Sequence, residues 1–192
     1  MRHNDGVITL KSPNGIMTVL VYPEFGGRIG SLSVGGQEVF VTGGTSDDPL
    51  SWGCYPMVPY AGRVRDAILE FAGVQFPLRK NLPPHSIHGT VFDRPWNVIE
   101  NSPSAVALEI DLGAEWPFAG TVQHHVHITD TGIEMQLTVN AIQAMPIQVG
   151  WHPWFLKPHA TSLRFDAMLQ RDSTGIATPH KVPQPATPVD DC

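Results

Sequence analysis

Cysteine is close to absent from this 192-residue chain, and the two present, Cys54 and Cys192, lie too far apart to frame a disulfide scaffold or a zinc ribbon. Charge is sparse as well: Asp, Glu, Lys and Arg make up 16% of residues, with a formal net charge of −6. No basic run or Lys/Arg face offers a surface on which phosphates could release counterions, so no nucleic-acid partner is expected. No stretch of about 18 apolar residues is available to span a bilayer, and no membrane partner is expected either. The start, MRHNDGVITLKSPNGIMTVL, lacks the basic region and unbroken apolar stretch of a secretory signal. A cytoplasmic protein is the resulting expectation. Long windows of helical apolar spacing, internal repeats and charge blocks are missing too. So are a nucleophile elbow, a phosphate-cradling glycine loop and a dinucleotide fingerprint; the glycine-rich GGRIGSLSVGG at 26–36 has no strand–turn–helix context and reads as a strand between turns.

Glycine and proline are abundant, at 18 each. That density favours short strands joined by many turns. Strict alternation supports it. Val106, Leu108, Ile110 and Leu112 fall on one face of SAVALEIDL, and Ile133, Met135, Leu137, Val139 and Ala141 on one face of GIEMQLTVNAI. Further strands are expected at 6–11, 16–22, 28–34, 37–42, 67–71, 74–78, 95–100, 120–129, 147–151 and 162–167. Gly35-Gly36, Ala72-Gly73 and Asp130-Thr131-Gly132 supply hairpin turns. The pattern predicts an all-β, antiparallel sandwich or barrel in one domain. Two stretches, 43–66 and 79–96, break the rhythm with Gly, Pro and aromatics, and such loops on a rigid scaffold are where function concentrates. The tail from Thr178 to Cys192 carries four prolines in fifteen residues and is expected to be an extended connector.

Nine histidines call for an explanation. In HHVH, His125 and His127 share a face with Thr121, Gln123 and Thr129, whereas His124 sits among Val122, Val126 and Ile128. A metal site of the barrel type would need further ligands at spacings this segment lacks, so a solvated strand face is the preferred reading. His152, in VGWHPWF, is flanked by Trp151 and Trp154 and precedes Pro153, which predicts an imidazole projecting from a bend at the strand's end. Aromatic surroundings would shift its pKa and suit it to proton transfer; a hydrogen-bonded histidine in an aromatic core is the competing reading. Arg63, after PYAG, suits a fork of hydrogen bonds to vicinal hydroxyls, or a staple for a long loop. Trp52, Trp96, Trp151 and Trp154 adjoin the irregular stretches, and indole faces pack on the C–H faces of sugars.

Five segments in register, PEFGGRIGSL, CYPMVPYAGRVRDA, HSIHGTVFDRPW, WPF at 116–118 and VGWHPWF, resemble the aldose 1-epimerase (galactose mutarotase-like) family. The final VDD is similar to that family's Asp-x-x-Phe segment, cut before the Phe. The resemblance implies a large antiparallel β-sandwich over residues 1–192, a free aldose as small-molecule partner, and neither metal nor cofactor. It implies that a general base and a general acid open the sugar ring and let it reclose on either face. Carried over by position, His152 matches the family's acid and His88 a second catalytic-centre histidine that holds the sugar near its ring oxygen. Arg63 matches the hydroxyl-binding arginine and Asp190 a substrate-binding aspartate, with Trp154 beside the substrate. Gly62 stands where many relatives have Asn. The family's catalytic glutamate lies beyond the Asp-x-x-Phe segment, so the resemblance implies that the C-terminal strands and the base fall outside this chain and that its mutarotase activity is small. A non-catalytic carbohydrate-binding module is the first alternative. A hexose-6-phosphate epimerase is the second, and would need an Arg/Lys cluster for the phosphate.

Overall fold

The computed structural model describes residues 6–43, 48–157 and 166–183. The chain divides into a compact unit over residues 1–155 and a second unit over 156–192.

The first unit is almost wholly β. Strands β1 (Ile8–Lys11), β2 (Met17–Tyr22), β3 (Arg28–Val34) and β4 (Gln37–Glu38) run antiparallel in succession. The tight turns at Gly15 and at Gly35-Gly36 take the positive φ that glycine adopts without penalty. Next come β5 (Cys54–Met57) and β6 (Arg63–Val64), the hairpin of β7 (Ile68–Phe71) with β8 (Val74–Pro77), and β9 (Ser86–Ile87), which pairs back to β6. A four-stranded sheet follows in sequence order: β10 (Asn97–Asn101), β11 (Ala105–Asp111), β12 (Gly120–Ile128) and β13 (Ile133–Ala141). Last, β14 (Gly150–Pro153) returns to the first sheet, whose order is β1-β2-β3-β5-β14 with β4 on β3.

Alternation decides which face is buried. Leu10, Val19 and Val21 of the first sheet join Val106, Leu108, Ile110, Val122, Val126 and Ile128 of the second in one core. Each such side chain contributes roughly 1.5–3 kcal/mol on burial, so the two inner faces hold the unit together as a sandwich. The first sheet is also covered on its other face near β5. There Tyr55, Met57 and Phe92 form a smaller cluster, while Cys54, one residue from Tyr55, faces the main core. The second unit contains the hairpin of β15 (Met168–Arg171) with β16 (Ala177–Val182). Its turn is closed by the Asp172 carboxylate, which accepts from the backbone N–H groups of Thr174 and Ile176.

The all-β antiparallel expectation holds, and the strand positions need local correction. The stretch 43–66 contains β5 and β6, and 79–96 contains β9, because ladder bonds from distant strands hold short segments that prolines had disguised. The expected strand at 147–151 occupies 150–153, and β16 occupies part of the tail expected to be a connector. Most of the strand expected at 162–167 lies outside the described residues, as does Asp190. No helix among the described residues is long and apolar enough to cross a membrane.

Candidate active site

Register places the site. In β14, His152 lies directly opposite Tyr55 of β5, and Trp151 opposite Pro56. Opposed residues of an antiparallel pair share a face, so Tyr55 and His152 emerge together on the face away from the main core. Their rings stack at 5.0 Å between centroids and 7° between planes. His152 therefore stands within the ladder, not on the expected bend. Pro153 is tolerated because β14 is the terminal strand of this sheet, where a missing N–H breaks no ladder bond. The Trp154 N–H then bonds to Gly53 O at 2.8 Å and carries the pairing past the proline.

His88 arrives from a different direction. The β6–β9 ladder sets Arg63 opposite Ile87, one residue from His88. The His88 N–H donates to Gly62 O, and the Gly62 N–H donates to His88 Nδ1 at 3.1 Å. His88 has φ +58°, a left-handed conformation for a side-chain-bearing residue. Gly89 follows with φ +82°, and a Cβ there would lie 1.8 Å from Val58 O. Close backbone packing of this kind presses the HSIHG segment onto the end of β5. The His88 and His152 rings meet edge to face at 5.1 Å, and Trp154 tilts against His152 at 5.4 Å. Trp154 keeps 39% of its surface exposed, and its indole N–H is anchored on Leu50 O.

Electrostatics follow from this packing. Burial lowers the His88 pKa to about 4, helped by His152 and the Arg63 cation. A neutral ring that accepts at Nδ1 carries its proton on Nε2, so His88 is a fixed hydrogen-bond donor at neutral pH. Burial also lowers the His152 pKa, its own main chain opposing. Its Nδ1 is buried with no hydrogen-bond partner in normal geometry, which leaves Nε2 for a ligand. Among the described residues no carboxylate hydrogen-bonds or ion-pairs with either ring.

The structure thus brings together His152, His88, Arg63 and Trp154. It also adds Tyr55, which is 1% exposed and forms the floor between the two imidazoles. Sequence reasoning missed Tyr55 because Pro56 hid the strand; the CYPM run itself was the available signal. Three of the four tryptophans assigned to sugar packing have other duties. Trp52 and Trp96 are buried, and Trp151 packs on the core and donates to His124 Nε2 at 3.1 Å. His124 is the fully buried member of HHVH, on the apolar face that strand parity gives it beside Val122, Val126 and Ile128, and its Nδ1 lies 3.0 Å from Gly27 O, so that it links the sheets. His125 and His127 do lie on the outer face. Among the described residues no group of three or more His, Cys, Asp or Glu side chains is arranged to hold a metal ion.

Comparison with known proteins gives this geometry a family. The family model for aldose 1-epimerase matches residues 6–191. The chain belongs to the aldose 1-epimerase family. A candidate aldose 1-epimerase from Escherichia coli K12 superposes with a TM-score of 0.82 at 22% identity, over 93% of this chain and 62% of that one. A GalM/aldose epimerase homologue from C. elegans gives 0.74 at 19% identity, over 92% and 60%. The galactose 1-epimerase of Lactobacillus acidophilus NCFM gives 0.75 at 14%, over 91% and 57%. In sequence, the chain is 23% identical to Escherichia coli YphB over 105 residues, 53% of this chain and 36% of that protein. At these identities the superpositions establish the fold, and this family member spans about three fifths of the length of the solved relatives.

Proposed function

We propose that the partly exposed face around His88, His152 and Trp154 forms a groove that binds a free aldose, and that His152 donates the proton to the ring oxygen when the two anomers interconvert. The observation that carries this reading is the meeting of His88 and His152 at 5.1 Å, over a buried Tyr55 and beside a half-open Trp154. An aromatic wall favours the C–H face of a pyranose. Arg63 offers a planar fork to two vicinal hydroxyls, and His88 Nε2–H offers one fixed donor to the oxygens near C1. Anomer exchange then needs a base to take the proton from the anomeric hydroxyl and an acid to protonate O5. The C1–O5 bond breaks, the aldehyde turns about C1–C2, and reclosure reverses both transfers. Burial makes the imidazolium of His152 a stronger acid, which favours transfer to the weakly basic ring oxygen.

The described residues place no carboxylate against either imidazole. The 192-residue chain is therefore expected to bind sugar while raising the anomerisation rate little. Polarimetry on freshly dissolved α-D-glucose, with binding followed by tryptophan fluorescence, tests both halves. Binding with a rate near that of buffer is the expected pair of results. A large acceleration abolished by His152→Ala would mean that a base exists within the chain, and an absence of binding would end the reading. Binding without exchange also suits a carbohydrate-binding module. A hexose-6-phosphate epimerase has less support, because Arg79 is committed to Asp93 and Glu115, and Arg94 to Asp111.

A further inference from the structure

Beneath the groove lies a buried cation that the proposed chemistry does not use. Arg28, at the start of β3, is 1% exposed. Its guanidinium donates from Nε to Phe25 O at 2.6 Å, from Nη1 to Trp52 O at 3.1 Å and from Nη2 to Phe92 O at 3.0 Å. These acceptors belong to three different segments: the turn before β3, the approach to β5 and the loop that follows His88. Among the described residues the guanidinium makes no ion pair with a carboxylate. Three neutral carbonyls and two ring faces surround it, Trp52 at 4.3 Å and Tyr55 at 5.2 Å from the guanidinium carbon, while the carboxylates of Asp48 and Asp93 favour its charge against the opposing effect of burial.

Sheet register explains why it is there. Arg28 is opposite Tyr22 of β2. On the other side Ile29 is opposite Cys54, so one step along the antiparallel pair brings Arg28 beside Tyr55. Tyr55 is in turn opposite His152. Tyr22, Arg28, Tyr55 and His152 thus form one row across four strands on the face that carries the site. A buried charge with no carboxylate in direct contact is costly even with Asp48 and Asp93 favouring it, and hydrophobic residues would pack this layer at lower cost. A fork that ties three loops and supports an aromatic floor gives the cation a purpose.

We propose that Arg28 is a positioning residue, which fixes the plane of Tyr55 and through it the orientation of the His152 imidazole, while two of its hydrogen bonds hold the Trp52 and Phe92 loops in place around that ring. The consequence for sugar affinity rests on the reading of the groove given above; the consequence for the imidazole does not.

The test uses the full chain and two readouts. The first is the ring-current displacement of the His152 Cε1–H proton signal without any sugar; the second is affinity for D-galactose by tryptophan fluorescence. Tyr55→Leu removes the stacking partner and defines the direction of the displacement lost. Arg28→Met is expected to shift the His152 signal in that same direction and to weaken galactose binding about tenfold. Arg28→Lys, which keeps a cation over the rings without the three-way fork, is expected to retain part of both and guards against failure of Arg28→Met to fold. An unmoved His152 signal in a folded Arg28 variant overturns the proposal. A moved signal in a chain that never binds galactose upholds the positioning role and removes the sugar reading instead.

Discussion

Each imidazole of the groove has one nitrogen turned inward and the other available. For His88 the inward partner is the Gly62 N–H, which fixes the tautomer; for His152 it is the stack on Tyr55 that fixes the plane. His88→Ala removes the Nε2 donor together with the acceptor for Gly62, and is expected to weaken sugar binding about tenfold, or ~1.4 kcal/mol. Calorimetric titration with D-galactose checks it. His88→Asn, which tolerates the left-handed backbone and can still accept from Gly62, is expected to lose less. The candidate residues were legible in sequence where a short motif carries them, as PYAGR does Arg63, HSIHG His88, and VGWHPWF His152 and Trp154. Residues with no such motif, placed by register alone, were not. Tyr55 and Arg28 reach the site only because β3, β5 and β14 pair in a particular alignment, and their own flanks carry no mark of it.

At the scale of elements, two contacts join pieces distant in the chain. The first is the approach of Gly89 to Val58, where a Cβ would lie 1.8 Å from the carbonyl oxygen. Gly89→Ala is expected to cost about 3 kcal/mol of stability or more, from backbone strain and clash together, and denaturant unfolding measures it. The second is the buried chain from Gly27 O through His124 to the Trp151 indole. Burial lowers the His124 pKa to about 4, from an ordinary value of 6.5, with the Gly27 bond opposing. The unfolded chain therefore takes up a proton below pH 6.5 that the folded chain refuses until about 4. Stability from this group is full above 6.5 and falls as pH drops towards about 4, by on the order of 3 kcal/mol in all. Chemical unfolding across that window should show the slope, and His124→Gln should flatten it. Elements with clean alternation, such as β11 to β13, were readable because period two survives burial on one face. Strands β5, β6 and β9 were not, being two to four residues long and rich in proline or held by partners far away. The HHVH run shows the same limit: parity set His124 apart from its neighbours, yet only the packing of β12 under β14 gives it a role.

For the whole first unit, the sandwich buries one face of the leading sheet in the core and carries the candidate site on the other face, around β5 and β14. The rings of His88, His152 and Trp154 meet over Tyr55 on that face, and the chain spans about three fifths of the length of its solved relatives. Under the proposed function, sugar binding is the property to measure first. Nuclear magnetic resonance of the histidine ring protons during titration with D-galactose observes the groove directly. The account predicts that the His88 and His152 signals move together and saturate, that the buried His124 signal stays in place, and that Arg63→Ala weakens the response. Signals of His88 and His152 that remain fixed while tryptophan fluorescence reports a bound sugar would place the ligand elsewhere and contradict it.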